Sequence, residues 1–160
     1  MILSYNELMG YGFRIGRDVP QATVELAIET AELYYLQPSL SGADFVALRD
    51  MDATAVLIAG GLFVDEHDES HFIAGLKKGL AFIAYAELLR MNINVTTFGS
   101  VQKSDEFSQN VDPREHIKYY IAVGTQYVRE VCKLAGYKYS PQTGVNRETY
   151  FTRKEEKGWH

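Results

Sequence analysis

The sequence predicts an all-α fold, a small helical bundle with a short β-hairpin arm between its two longest helices and an extended C-terminal tail. Three observations carry this expectation. Apolar residues recur at three- and four-residue spacing across 70–91 and 112–135. The period changes to two across 93–98, in a run rich in β-branched residues. The last 24 residues show no helical period at all. The expected organisation is a helical domain over 1–136 with its arm at 93–109, followed by a docking tail at 137–160.

Each element has a local reason. Residues 1–17 hold three glycines and no sustained period, so an irregular leader is expected, with one helical turn at 5–9. A first long helix starts at Asp18 to Pro20, because proline suits a helix start where its missing N–H has no partner anyway. Val24, Ala27, Ile28, Ala31 and Tyr35 give it one buried stripe, and Pro38 ends it near Gln37. Glu25, Glu29 and Glu32 fall on another face, which is expected to be solvated. A shorter helix is predicted from Ser41 to Asp50, capped by Ser41, with Phe45 and Leu48 inward. The apolar run 53–64 fits either a buried strand or a helix end with a turn at Gly60-Gly61, and the helical surroundings favour the second.

Residues 65–71 (DEHDESH) form the densest charge cluster. Asp, Glu and His together suggest a metal site. Acidic residues also gather where a helix begins, since its N-terminus carries partial positive charge, and Asp68 or Ser70 can cap it. Capping is the favoured expectation, with a helix running from Ser70 to Met91, about 33 Å long. Phe72, Ile73, Leu76, Leu80, Ile83, Ala84 and Leu88 make its main stripe; Phe82, Tyr85 and Leu89 widen it. A helix so apolar is buried from several sides, by its own bundle or by another subunit.

In the arm, Ile93, Val95 and Thr97 alternate with Asn94, Thr96 and Phe98; Gly99-Ser100 offers a turn, and Val101 starts a possible return strand. Two short strands are marginal alone, so Val95, Thr97, Phe98, Val101 and Phe107 are expected to touch a neighbour. The last helix has Asp112 as cap, Pro113 at its first position and Glu115 placed for a capping box. Ile117, Tyr120, Ile121, Gly124, Tyr127, Val128, Val131 and Leu134 face its core, and Gly136 terminates it. Gly124 costs about 1 kcal/mol against Ala in a helix interior, which implies close approach of a second helix. The tail carries a net charge of +2 against −7 for residues 1–136, and its Tyr139, Tyr150, Phe151 and Trp159 are expected docking anchors, ordered only on a partner.

Composition narrows function. At 160 residues the chain is one domain with room for a real core. Its net charge of −5 makes it a poor ligand for duplex DNA, whose affinity comes from Lys and Arg neutralising phosphates. A single cysteine, Cys132, excludes an internal disulfide and a cysteine zinc cluster. No apolar run reaches a membrane span, and no basic-then-apolar leader is seen. No P-loop, dinucleotide fingerprint, nucleophile elbow or H-E-x-x-H occurs. His67, His71, His116 and His160 do not form the paired Glu-x-x-His of di-metal bundles. No catalytic residue, metal ligand or cofactor is expected. Eleven tyrosines and eight phenylalanines point to boundary packing or to interfaces.

Residues 54–136 resemble the small helical head–tail connector proteins of tailed bacteriophages, particularly those of Bacteroides-type hosts. The resemblance lies in Gly60-Gly61, in Gly75-Leu76-Lys77, in Ala84-Tyr85-Ala86, and most specifically in the runs 94–99 (NVTTFG) and 101–108 (VQKSDEFS). Ala27-Ile28 and Ala31-Glu32 fit as well. The resemblance implies a structural virion protein without enzymatic activity. It implies a homo-oligomeric ring, commonly dodecameric, under the portal protein at the head vertex, extending the DNA channel and carrying tail or further ring proteins. DNA would pass without sequence-specific binding, which a negative wall favours. Two other classes fit the residues: a non-virion helical binding or regulatory module, and a helical metal-binding enzyme.

Overall fold

The computed structural model describes residues 1–91 and 113–141 as a mostly helical bundle. The expected arm at 93–109 and the tail beyond Pro141 lie outside the described residues, and so does the Asp112 cap. The described elements are helices α1 (Tyr5–Gly10), α2 (Gln21–Ala31), α3 (Gly42–Asp50) and α4 (Val56–Ala59), strands β1 (Gly61–Val64) and β2 (Ser70–Ile73), and helices α5 (Leu76–Arg90) and α6 (Pro113–Leu134). Between α2 and α3 the chain passes through a π-helical turn, Glu32–Leu36, and a 3-10 turn, Gln37–Ser39.

Local chemistry sets the boundaries. Ser4 caps α1 in a capping box with Glu7, each accepting from the other's backbone N–H. Ser41 Oγ accepts from the Asp44 N–H, 3.1 Å away, and starts α3 as expected. α6 ends in a Schellman motif: Gly136 takes φ +74, its N–H donates to Lys133 O, and the Tyr137 N–H donates to Cys132 O at 2.8 Å.

α5 occupies the centre of the bundle. It packs chiefly on α6 and α2, with α4 against it as well. Leu76, Leu80, Ala81, Ile83, Ala84, Ala86 and Leu88 are buried around most of its circumference. The wide apolar surface read in the sequence is therefore covered within the chain itself. Leu3, Leu8, Val24, Ile28, Leu36, Leu48, Ile58, Val128 and Val131 complete the core, each fully buried large aliphatic contributing roughly 1.5–3 kcal/mol.

Three buried charged groups stitch elements together. Glu32 accepts from the Ile2 and Leu3 N–H groups at 2.5 and 3.3 Å, fastening the N-terminus to the end of α2. Lys77 donates to Glu7 Oε1 at 2.6 Å and to Ala53 O at 3.3 Å, joining α5 to α1 and to the segment before α4. Glu87 accepts from the Tyr35 hydroxyl at 2.5 Å and faces Arg90 at 3.3 Å.

Several expectations are corrected. α5 starts at Leu76, because 70–73 is strand: Phe72 leaves the predicted stripe and stands exposed, while Ile73 is buried from β2. Residues 65–69 are the turn of a β-hairpin, not a helix cap. The run 53–64 does contain a helix end and a turn at Gly60, but Gly61 then opens a strand. Glu32 is buried rather than solvated, because two orphan N–H groups need its carboxylate. The first long helix is not stopped by Pro38, which sits inside the 3-10 turn where its missing N–H costs little.

Candidate docking surface

Among the described residues, the feature that leaves the bundle is the β1–β2 hairpin. β1 and β2 pair antiparallel with Gly61 opposite Ile73, Leu62 opposite Phe72, Phe63 opposite His71 and Val64 opposite Ser70. Opposed residues share a face. Gly61, Phe63, His71 and Ile73 form one face, anchored by buried Ile73. Leu62, Val64 and Phe72 form the other, and they are exposed at 61, 53 and 82%. Three large apolar side chains together on two four-residue strands make a contiguous patch rather than scattered surface residues.

The base of the hairpin is held by two glycines. Gly60 and Gly75 adopt φ +87 and +82, a region costly for other residues. They also press against each other: a side chain at Gly60 would lie 2.5 Å from Ala74 O, and one at Gly75 would run into the Gly60 backbone. Sequence therefore fixes where the hairpin leaves α4 and re-enters α5.

The turn is closed by Asp65. Its Oδ1 accepts from the His67 and Glu69 N–H groups at 2.8 and 2.9 Å, and its Oδ2 lies 3.1 Å from His71 Nε2. The Asp65 N–H donates to Glu69 O, and Asp68 takes φ +61, which a short polar residue tolerates. The Glu69 and His71 hydrogen bonds hold the Asp65 carboxyl below its usual range. Ligand atoms of Asp65, Glu69 and His71 lie within 4.8 Å of one another, the cluster that raised a metal in the sequence. Here Asp65 and His71 serve the turn.

The tyrosine excess has a second explanation. Phe13 stacks on Tyr85 at 4.6 Å, and Tyr120 meets Tyr85 edge-on at 4.9 Å. Phe82 lies between Tyr120 and Tyr127, with Lys78 Nζ 5.7 Å from the Tyr127 ring. These rings seal the half-buried seam between α5 and α6 within one chain.

Of the residues expected at interfaces, Val95, Thr97, Phe98, Val101, Phe107, Tyr150, Phe151 and Trp159 lie outside the described residues. Tyr139 is described, and it packs half-buried on the chain's own core, close to the Ser39 and Thr125 side chains. The Ser140 N–H donates to Ser39 O at 2.9 Å. The start of the tail, 137–141, thus rests on its own bundle and needs no partner to be placed there. Cys132 is buried in the core, and burial first, then the Asp44 charge, pushes its thiol up to about 12, where it is inert.

Sequence reading missed Leu62, Val64 and Phe72. The available signal was two four-residue runs, 61–64 and 70–73, rich in aromatic and branched residues around a polar turn. No helix among the described residues is long and apolar enough to cross a membrane. No family model matches the chain, and neither a curated protein nor a solved structure does.

Proposed function

We propose that this chain is a structural assembly subunit: a virion protein that forms a homo-oligomeric ring at the portal vertex of a tailed phage, joins head to tail and extends the DNA channel. The observation that carries the assembly reading is the apolar outer face of the hairpin. Phe72, Leu62 and Val64 stand exposed on a hairpin whose base is formed by the close Gly60–Gly75 contact. Among the described residues nothing covers that face, and an apolar patch of this kind suits contact with another molecule. The phage assignment itself rests on the resemblance carried by 94–108 and by Gly60-Gly61 and Gly75-Leu76-Lys77. In this reading the chain has no catalytic role, its neighbours are the portal protein and downstream tail or ring proteins, and it is made in the host cytoplasm.

Composition of purified particles tests it. The protein should be present in virions at ring stoichiometry and should map to the neck by electron microscopy. Absence from virions would leave a non-virion binding module, with the same exposed hairpin serving a different partner.

A further inference from the structure

We propose that the occupant of the hairpin's apolar face is the C-terminal segment, 142–160, of a second copy of this chain. This deepens the assembly reading and rests on it.

The exit path of the chain points to another copy rather than to its own hairpin. α5 and α6 run antiparallel, since Gly79 meets Gly124 and Val128 while Tyr85 meets Tyr120. The hairpin joins α5 at its start, through Gly75. After Gly136 the chain turns back alongside α6: Tyr137 is held at Cys132, and Tyr139 is already at Thr125. At Pro141 it is therefore heading for the far end of α5, away from its own hairpin. Nineteen residues follow, with a maximum reach of roughly 65 Å, enough to cross to an adjacent subunit.

The chemistry of the two parts is complementary. The tail has Tyr150-Phe151 between Thr149 and Thr152, a short run of β-branched and aromatic residues of the kind enriched in strands. The hairpin offers a two-stranded sheet, too small to be stable alone, with Leu62 and Phe72 side by side on its open face. Residues 142–160 carry Arg147, Arg153, Lys154 and Lys157 against Glu148, Glu155 and Glu156, a small positive excess, while Asp65, Glu66, Asp68 and Glu69 lie in the hairpin turn. Strand addition with aromatic anchors is a recurrent recognition mode. The contact uses two different patches on each copy, so it repeats head to tail, and it closes into a ring if the rotation allows.

The test is complementation between two full-length variants, with mass read by light scattering. One carries Phe72→Asp, the other Tyr150→Asp with Phe151→Asp; Leu62→Ser with Phe72→Ser repeats the first without added charge. Each alone should self-associate at least tenfold more weakly than wild type, with an unchanged helical spectrum. An equimolar mixture should form dimers and nothing larger, because only one of its possible contacts is intact. Self-association of either variant at the wild-type level overturns the proposal. So does a mixture that stays monomeric, or wild type that is monomeric at millimolar concentration. Dimers from the mixture together with absence from virions would keep this contact and discard the phage assignment; virion incorporation with both variants associating normally would do the reverse.

Discussion

Gly79 and Gly124 face each other at the crossing of α5 and α6: a side chain at Gly124 would lie 2.6 Å from Gly79 O, and one at Gly79 would lie 3.0 Å from Gly124 O. A side chain at Gly124 would also press on Ile83, and one at Gly79 on Val128. The two helices are thus in backbone contact at the centre of the core.

Gly124→Ala should destabilise the protein. Alanine gains about 1 kcal/mol of helix propensity. Overpacking costs roughly 1–3 kcal/mol, and here the opposing atom is backbone, which cannot rotate away. Gly79→Ala, with its nearest atoms at 3.0 Å, should cost less. Urea denaturation would check the order; a stabilised Gly124→Ala would show that the helices separate freely.

Tyr35→Phe should cost about 1–3 kcal/mol, because it removes a donor from the buried Glu87 carboxylate. Thermal melting of the variant beside wild type measures it. A change under a few tenths of a kcal/mol would mean that Glu87 is satisfied without the hydroxyl.

In dilute protein, where copies do not associate, removing residues 142–160 should cost less stability than removal from Tyr137 onward, which should lower it by roughly 2 kcal/mol or more. The second truncation loses the Tyr137 and Tyr139 packing and the Ser140–Ser39 hydrogen bond. Equal denaturation midpoints for the two forms would contradict the placement of 137–141 on the bundle.

The hairpin turn should loosen in acid before the bundle does. The folded Asp65 carboxyl lies below its ordinary value, so its contribution is fully present above about pH 4 and is lost as pH falls through the folded value. Amide protection at His67 and Glu69, relative to the intrinsic rate, should fall in that window and should be low at all pH in Asp65→Ala. Flat protection across it would assign the turn to other contacts.

Cys132 should resist alkylation in the native protein at neutral pH, since its thiol is buried and titrates at about 12. Labelling should begin only in denaturant, along the unfolding curve. Fast native labelling would show that the α6 core opens.

What the sequence determined by itself was local or periodic. The caps at Ser41 and Gly136, the boundaries around α3 and α6, and the need for a close partner at Gly124 all follow from residues that act on their own backbone or on their own helix face. The burial of the long central helix followed from its apolar circumference. The tertiary structure decided the rest. Only it shows that residues 70–73 are strand, because four residues (SHFI) are too few for a period to separate strand from helix and the choice depends on β1 lying opposite. Only it shows that Glu32 is buried, because its partners are 29 and 30 residues away. And only it makes a surface of Leu62, Val64 and Phe72, since cross-strand register puts on one face residues that the linear chain keeps apart.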